Sequence, residues 1–126
     1  MSYIKHKSDE SIEDYLENIL MIHQRKGRAR SIDIVNEMGF TKASVSIAMK
    51  GLREKGYITM DEVGYITFTE EGLALAEKVL ERHNLITDWL MKLGVSEEVA
   101  RIDACRIEHD ISEETFSALK NSCLNK

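Results

Sequence analysis

A chain of 126 residues can form one small domain, or a small domain with an extension. Its 43% hydrophobic and 31% charged residues are typical of a globular protein, not of a disordered or collagen-like chain. No apolar run approaches the roughly 18 residues that a membrane-spanning helix needs, and the N-terminus lacks the apolar segment of an export signal. We therefore expect a cytoplasmic protein without a membrane partner.

The net charge of −5 argues at first against a nucleic-acid partner, but the charges are unevenly distributed. Residues 25–55 contain 8 Lys and Arg against 3 Asp and Glu, whereas the C-terminal half is strongly acidic. Phosphate contacts act over about a Debye length, roughly 10 Å. A locally basic segment on an acidic chain is therefore compatible with DNA binding.

The first two predicted helices lie on either side of a short extended stretch at 28–30. Apolar residues recur at helical spacing from Ser11 to about Gln24, with Ser11 or Asp9 as the candidate N-cap, and Gly27 ends this first helix. Ser31 is the predicted N-cap of the second helix. The side chains expected to face inward from that helix are Ile32, Val35 and Met38. His23 has no partner that the sequence identifies, and we expect it at the surface.

A third helix and a hairpin follow directly. Gly39 stops the second helix, and Thr41 is the predicted N-cap of a helix that ends near Gly56. Its expected buried residues are Val45, Ala48, Met49 and Leu52. Two helices joined by a tight turn indicate a helix-turn-helix, and the strand formers at 57–60 and 65–68 predict a β-hairpin after it. This order predicts a winged helix-turn-helix that reads DNA.

Helices are predicted for the rest of the chain. Thr69 caps a long fourth helix that runs to Gly94, Ser96 begins a fifth that reaches about His109, and Ser112 opens a sixth. The predicted fold is therefore mainly α, with a winged helix-turn-helix DNA-binding domain at 1–70 and a helical dimerisation and metal-binding segment at 71–126.

The N-terminal part of the third helix is the predicted base-reading surface, because helix-turn-helix motifs place that part of the second helix of the pair in the major groove. Small hydroxyl side chains and an alanine permit close approach and contact with thymine methyl groups, but supply no Arg–guanine fork. We expect much of the affinity to come from phosphate contacts. The candidate DNA-binding residues are Arg28, Arg30, Thr41, Lys42, Ala43, Ser44, Ser46 and Lys50. The wing tip carries Asp61 and Glu62, which phosphates repel, so we expect no strong contact there.

Residues of the predicted fifth helix suggest a metal site. Cys105, Glu108 and His109 lie at positions i, i+3 and i+4, so a thiolate, a carboxylate and an imidazole share one helix face. Such a mixed donor set suits a divalent transition metal. Asp14 and Glu17 form another i, i+3 pair on the first helix, and the fourth helix carries a further candidate ligand, His83. Each of these residues taken alone is more often a surface charge or a packing residue.

Three alternatives remain open from the residues alone. A winged-helix regulator could sense a small organic ligand, with the polar cluster incidental. A metalloenzyme could use the cluster for hydrolysis, although no general base beside an open coordination position and no glycine-rich substrate loop is evident, so we do not expect an enzyme. A scaffold could use its winged helix to bind protein instead of DNA.

These motifs together resemble the diphtheria-toxin-repressor family of metal-dependent regulators, and the resemblance covers nearly the whole chain. It rests on the DNA reader and on Asp14-Tyr-Leu-Glu17, Arg82-His83 and Asp103-Ala-Cys105-x-x-Glu108-His109. It implies a repressor of metal homeostasis genes that binds a palindromic DNA operator as a homodimer when metal is bound. We expect the short, manganese-sensing type without the SH3-like domain of longer members.

The resemblance also implies a ligand set: Asp14, Glu17, His83, Cys105, Glu108 and His109. The two carboxylates on the first helix are similar to the manganese branch, and Cys105 is similar to the iron branch. The implied metal is thus Mn(II) or Fe(II), with Zn(II) or Co(II) as substitutes in vitro. An ancillary site of the iron branch aligns with Thr87 and Arg101, which are poor ligands, so we expect that site to be absent or remade.

Overall fold

In the computed structural model, which describes residues 7–124, six helices and three short strands form two compact units. One unit is Ser8–Lys78 and the other begins at Val79, so the division falls within one long helix. The elements in chain order are α1 (Lys7–Lys26), β1 (Ala29–Arg30), α2 (Ser31–Met38), α3 (Lys42–Glu54), β2 (Ile58–Met60), β3 (Tyr65–Phe68), α4 (Glu70–Lys92), α5 (Glu97–Asp110) and α6 (Glu113–Leu124). None of these described helices is long and apolar enough to cross a membrane.

The first unit contains the predicted helix-turn-helix. Gly39 ends α2 in the left-handed conformation, with φ of 72°, which a residue with a side chain adopts only with strain. Thr41 then caps α3 as predicted, because its Oγ1 accepts a hydrogen bond from the amide of Ser44 at 3.1 Å. The ring of Phe40, inside this turn, packs edge-on against Tyr15 of α1 at 5.9 Å between centroids.

The wing is a hairpin in a three-stranded antiparallel sheet of order β1-β3-β2. Asp61 stabilises its turn, since the Oδ1 atom accepts hydrogen bonds from the amides of Val63, Gly64 and Tyr65, each at 2.9 Å. β1 lies within the extended stretch predicted at 28–30, and it pairs with β3, a pairing that the local pattern did not indicate. The hairpin prediction is confirmed, and the acidic residue at its tip has a structural role.

Several local predictions in this unit are wrong. α1 begins at Lys7, so both Asp9 and Ser11 lie inside the helix. The N-cap of α2 is Arg30 and not Ser31. The α2 residue that is fully buried is Ile34, whereas Ile32 is exposed and both Val35 and Met38 are only partly buried. Ala48 of α3 is likewise only partly buried, while the other three predicted core residues of α3 are buried.

His23, which was expected at the surface, has partners on the wing. Its Nε2 lies 2.8 Å from the carbonyl oxygen of Ile66, and its ring packs against Phe68 at 5.7 Å. These contacts join the end of α1 to β3.

Gly72, in the first turn of α4, lies very close to the main chain of Tyr57, because a Cβ at Gly72 would overlap the carbonyl of Tyr57. Close backbone approach therefore sets the start of α4 within the first unit.

The second unit contains the end of α4 with α5 and α6. Ser96 caps α5 as predicted, and the Oγ of Ser112 accepts a hydrogen bond from the amide of Thr115 at 3.1 Å at the start of α6. Its buried apolar residues are Val79, Leu80, Ile86, Ala100, Ala104 and Phe116. Arg82 and His83 of α4 contact Glu108, so the face of α5 that carries the predicted metal ligands lies against α4.

Candidate metal centre and nucleic-acid interface

Three predicted ligands meet on α5. One donor atom each from Cys105, Glu108 and His109 lie within 4.8 Å of one another. Glu108 and His109 are buried, and Cys105 is half-buried and forms no disulfide. The convergence follows from the helix itself, because positions i, i+3 and i+4 share a face. The spacing therefore places a sulfur, an oxygen and a nitrogen donor at one point in the second unit.

The carboxylate of Glu108 lies between two imidazoles. His83 on α4 places Nδ1 3.2 Å from Glu108 Oε2, and His109 places Nε2 3.5 Å from Glu108 Oε1. Glu108 is only 1% exposed. A carboxylate that is withdrawn from water in this way costs several kcal/mol unless positive charge or hydrogen bonds compensate. A divalent cation beside this group would supply that compensation, so the donor set fits a metal ion.

The remaining predicted ligands lie on α1, in the first unit. Asp14 and Glu17 are one helical turn apart, and Glu17 is only 3% exposed. The amide of Asn18 donates a hydrogen bond to the carbonyl oxygen of Asp14 at 2.8 Å, which is a contact with the main chain and not with the Asp14 carboxylate. Their part in metal binding stays a prediction from the sequence.

The two residues at the predicted ancillary position make contacts within their own helices. Thr87 is buried and donates a hydrogen bond from Oγ1 to the carbonyl oxygen of His83 at 2.7 Å. Arg101 is exposed and pairs with Glu97 at 3.0 Å, one turn earlier on α5. Neither side chain offers a ligand that a hard divalent ion favours, as the sequence indicated.

The predicted base-reading residues lie on the exposed side of α3. Val45, Met49 and Leu52 face the core of the first unit, and the opposite side is exposed. The predicted base-reading residues are all exposed, with Thr41 and Lys42 at the start of the helix and Ala43, Ser44, Ser46 and Lys50 further along it. Oγ1 of Thr41 also donates to the Oγ of Ser44 at 2.9 Å, so the first hydroxyl is committed to the cap. Contact of these residues with bases stays a prediction.

The two candidate phosphate-binding arginines lie beside the wing. The guanidinium carbons of Arg28 and Arg30 are 4.9 Å and 5.5 Å from the ring centroid of Tyr65, and Arg30 also donates to the carbonyl oxygen of Val63 at 2.9 Å. These contacts orient both cations at the rim of a surface cavity of about 360 Å³.

Two other basic residues of the 25–55 segment form ion pairs. Arg25 contacts Glu37 at 3.2 Å, and Lys26 contacts Asp33 at 3.0 Å. The hydrogen bond from Lys26, together with that from the amide of Arg30, lowers the pKa of Asp33, so this carboxylate stays ionised at neutral pH. Part of the excess of Lys and Arg in this segment therefore forms ion pairs between α1 and α2.

Sequence reasoning missed one exposed residue of α3. Ile47 is 73% exposed, more than any other large apolar residue in the described part of the chain. It lies one turn after Ala43 and Ser44 and one turn before Lys50, on the surface opposite Val45. The helical spacing of the buried positions, taken to its opposite face, would have found it.

Comparisons with known proteins agree with this arrangement. The family model of the iron dependent repressor N-terminal DNA binding domain matches residues 8–65, and that of the iron dependent repressor metal binding and dimerisation domain matches residues 69–125. The transcriptional regulator MntR of Escherichia coli O6:H1 is 38% identical over 111 residues, which are 88% of this chain and 72% of that protein.

Solved structures show the same likeness. The manganese regulator SloR is 28% identical, with a TM-score of 0.77, over 90% of this chain and 53% of its own. IdeR of T. acidophilum is 25% identical, with a TM-score of 0.78, over 94% of this chain and 55% of its own. The chain thus spans about half the length of these two proteins. The relatives are transcription regulators, and they favour a metal-responsive repressor over a sensor of an organic ligand. The chain therefore belongs to the iron-dependent repressor family of metal-responsive transcription regulators.

Proposed function

We propose that the protein is a cytoplasmic repressor of metal homeostasis genes that binds a palindromic operator as a homodimer when Mn(II) or Fe(II) is bound. The observation that carries the proposal is the buried carboxylate of Glu108, which lies between the imidazoles of His83 and His109 and beside the Cys105 thiol. The chain that carries this donor cluster also has an exposed helix-turn-helix surface.

The proposed ligands in the second unit are His83, Cys105, Glu108 and His109, and we propose Asp14 and Glu17 of α1 as the remaining two. Support for the α1 pair comes from its spacing, from the family resemblance and from the burial of Glu17. When bound, the metal supplies positive charge that compensates these carboxylates. His83 and His109 would bind the metal through ring nitrogens that carry no proton.

The identity of the metal follows from the balance of donors. Carboxylate oxygens favour Mn(II), whereas a thiolate favours Fe(II), Co(II) or Zn(II). Relatives such as SloR, which is described as a manganese regulator, favour Mn(II). Titration calorimetry with Mn(II), anaerobic Fe(II), Co(II) and Zn(II) tests the proposal directly. We expect saturable binding of Mn(II) or Fe(II), and an absence of binding by every one of these metals would refute the proposal.

The control of DNA binding rests on thermodynamic linkage. A metal changes DNA affinity only to the extent that it binds the DNA-competent state more tightly than the other state. Typical coupling free energies of about 1–3 kcal/mol correspond to roughly 5–150-fold tighter DNA binding. The same coupling predicts that operator DNA raises the affinity for the metal by the same factor.

Two substitutions on α3 should separate phosphate contacts from base contacts. Lys50→Gln should weaken binding to every duplex alike and lower the slope of log K against log salt by about 1 for each phosphate that is no longer neutralised.

Ile47→Ala should leave binding to random-sequence DNA unchanged. It should weaken binding to DNA selected by the wild-type protein by about 1 kcal/mol or more for each base that the side chain recognises. Fluorescence anisotropy with selected and random duplexes measures both effects. Equal weakening on both duplexes for Ile47→Ala would contradict a role in base reading.

A surface for the homodimer is proposed at the junction of α4 and α5. Large apolar side chains are exposed there, including Leu93 at 64% and Ile102 at 51%, as well as Met91 and Val99. Exposed apolar side chains gathered in one segment are typical of an oligomer surface.

We expect Ile102→Lys or Leu93→Lys to shift the protein from dimer to monomer, with at least a tenfold weaker dimerisation constant in sedimentation equilibrium. Val63→Lys is a matched control, because Val63 is as exposed but lies in the wing. A wild-type protein that stays monomeric at every concentration would contradict this proposal.

A further inference from the structure

Arg82 is a buried cation that no proposed role has used. It lies on α4 next to His83, and only 7% of it is exposed, although arginine is rarely buried without partners. Its NH1 donates to the carbonyl oxygen of Glu108 at 3.1 Å, and its NH2 donates to that of Ile111 at 3.5 Å. The carbonyls in the last turn of a helix lack partners within the helix and carry the negative end of its dipole. Arg82 therefore caps the C-terminal end of α5.

The same guanidinium also contacts α6. Its NH2 lies 3.4 Å from Oε1 of Glu113, and its central carbon lies 5.0 Å from the ring centroid of the buried Phe116. The ion pair with Glu113 is weak, since that carboxylate is largely exposed. The cation–π contact lies in the apolar core, where such contacts are stronger. Arg82 thus joins the start of α6 to the end of α5.

Two neighbouring residues of α4 therefore contact the same residue of α5, one at its side chain and one at its main chain. His83 lies against the side chain of Glu108, and Arg82 binds its main-chain carbonyl. On the basis of the proposed function, we infer that Arg82 is a positioning residue for the metal centre. It holds the end of α5 against α4, so that Glu108 and His109 would be placed to hold one metal ion together.

The direction in which metal affinity changes on substitution of Arg82 distinguishes a positioning role from a purely electrostatic one. A positive charge near a cation site repels the cation, so removal of the guanidinium charge alone should tighten metal binding. Loss of positioning should weaken it instead. A lysine at this position keeps the charge, but its single ammonium cannot bind both carbonyls in the way that the planar fork of arginine does.

The test compares Arg82→Lys and Arg82→Gln with the wild type by Mn(II) titration calorimetry of the full chain. Changes of groups that orient metal ligands typically weaken affinity by about 10–100-fold, and we expect losses in that range for both variants. Lys120→Gln is a matched control, because the pair between Lys120 and Glu81 joins α6 to α4 at 3.1 Å and includes no residue of α5. Its affinity for Mn(II) should stay within about twofold of the wild type.

A second readout separates positioning from general loss of stability. The visible absorption of the Co(II)-loaded protein reports ligand geometry, and we expect it to change in Arg82→Lys but not in Lys120→Gln. Thermal unfolding without metal identifies the temperature range in which every variant is folded, and the titrations are made there. Wild-type affinity or tighter binding in folded Arg82→Lys would overturn the inference. A wild-type chain that binds no metal would instead refute the proposed function.

Discussion

Glu108→Gln should remove the stabilisation of the protein by Mn(II) while leaving the metal-free fold intact. Glutamine has nearly the same shape as glutamate, and a neutral group costs less to bury between His83 and His109 than a carboxylate. The wild type at a Mn(II) concentration 100 times its dissociation constant should gain about 2.7 kcal/mol, which corresponds to roughly 10 °C in melting temperature. The variant should gain almost none of this.

Glu98→Gln is the control for this prediction. Glu98 lies in the first turn of the same helix and is exposed, so its loss changes the charge of α5 without touching the donor cluster. Its metal-free stability should fall slightly because an acidic group at a helix N-terminus is favourable, by about 0.3–1 kcal/mol. The rise in melting temperature produced by Mn(II) should equal that of the wild type. A rise of the same size in Glu108→Gln would show that Glu108 is not a ligand.

Gly72→Ala should destabilise the protein more than any conservative change of a single surface residue. A Cβ at Gly72 would overlap the carbonyl of Tyr57, and main-chain atoms cannot move aside as the end of a flexible side chain can. Overpacking at a rigid contact costs about 1–3 kcal/mol, and we expect a value at the upper end of this range. The midpoint of urea denaturation measures the loss.

The same substitution at a second glycine should stabilise the fold instead. Gly51 lies inside α3, and a Cβ there would meet no atom within 4 Å beyond its chain neighbours and the nearby backbone of its own helix. Gly51→Ala should therefore stabilise the fold by about 0.5–1 kcal/mol, because alanine loses less backbone entropy in a helix. If both changes stabilised the protein, the close approach of α4 to Tyr57 would be wrong.

Helix boundaries were predictable where one side chain forms the cap. Thr41, Thr69 and Ser96 each accept a hydrogen bond from an amide three residues later, so the signal lies within four residues of sequence. The start of α2 was not predictable in this way. Arg30 ends a strand that pairs with Tyr65, and this partner lies 35 residues further along the chain. A contact at that distance moves the boundary, and a local pattern does not contain it.

The inward side of α2 was misjudged for a related reason. The helix has only eight residues, and an apolar stripe over two turns is satisfied by Ile34 as well as by Ile32 and Val35. Which of them is buried depends on the elements that pack against α2. α3 is longer, and three of its four predicted core residues are buried.

The contacts of the candidate site also differ in how far the local sequence predicts them. Cys105, Glu108 and His109 were predictable as a cluster because one helix turn brings them together. The pairing of His83 with Glu108 joins two helices. The sequence named His83 as a further candidate ligand, and the family resemblance placed it in one ligand set with Glu108. The contact of Arg82 with the carbonyl of Glu108 involves a main-chain atom, which no pattern of side chains indicates.

The affinity of the wild-type protein for DNA with and without Mn(II) tests the central claim most directly. The DNA is a duplex selected from a random library in the presence of Mn(II), and anisotropy measures its dissociation constant at fixed salt. We expect Mn(II) to tighten binding at least fivefold in the wild type and to have no effect in Glu108→Gln. Equal dissociation constants for the wild type with and without any of Mn(II), Fe(II), Co(II) or Zn(II) would contradict metal control.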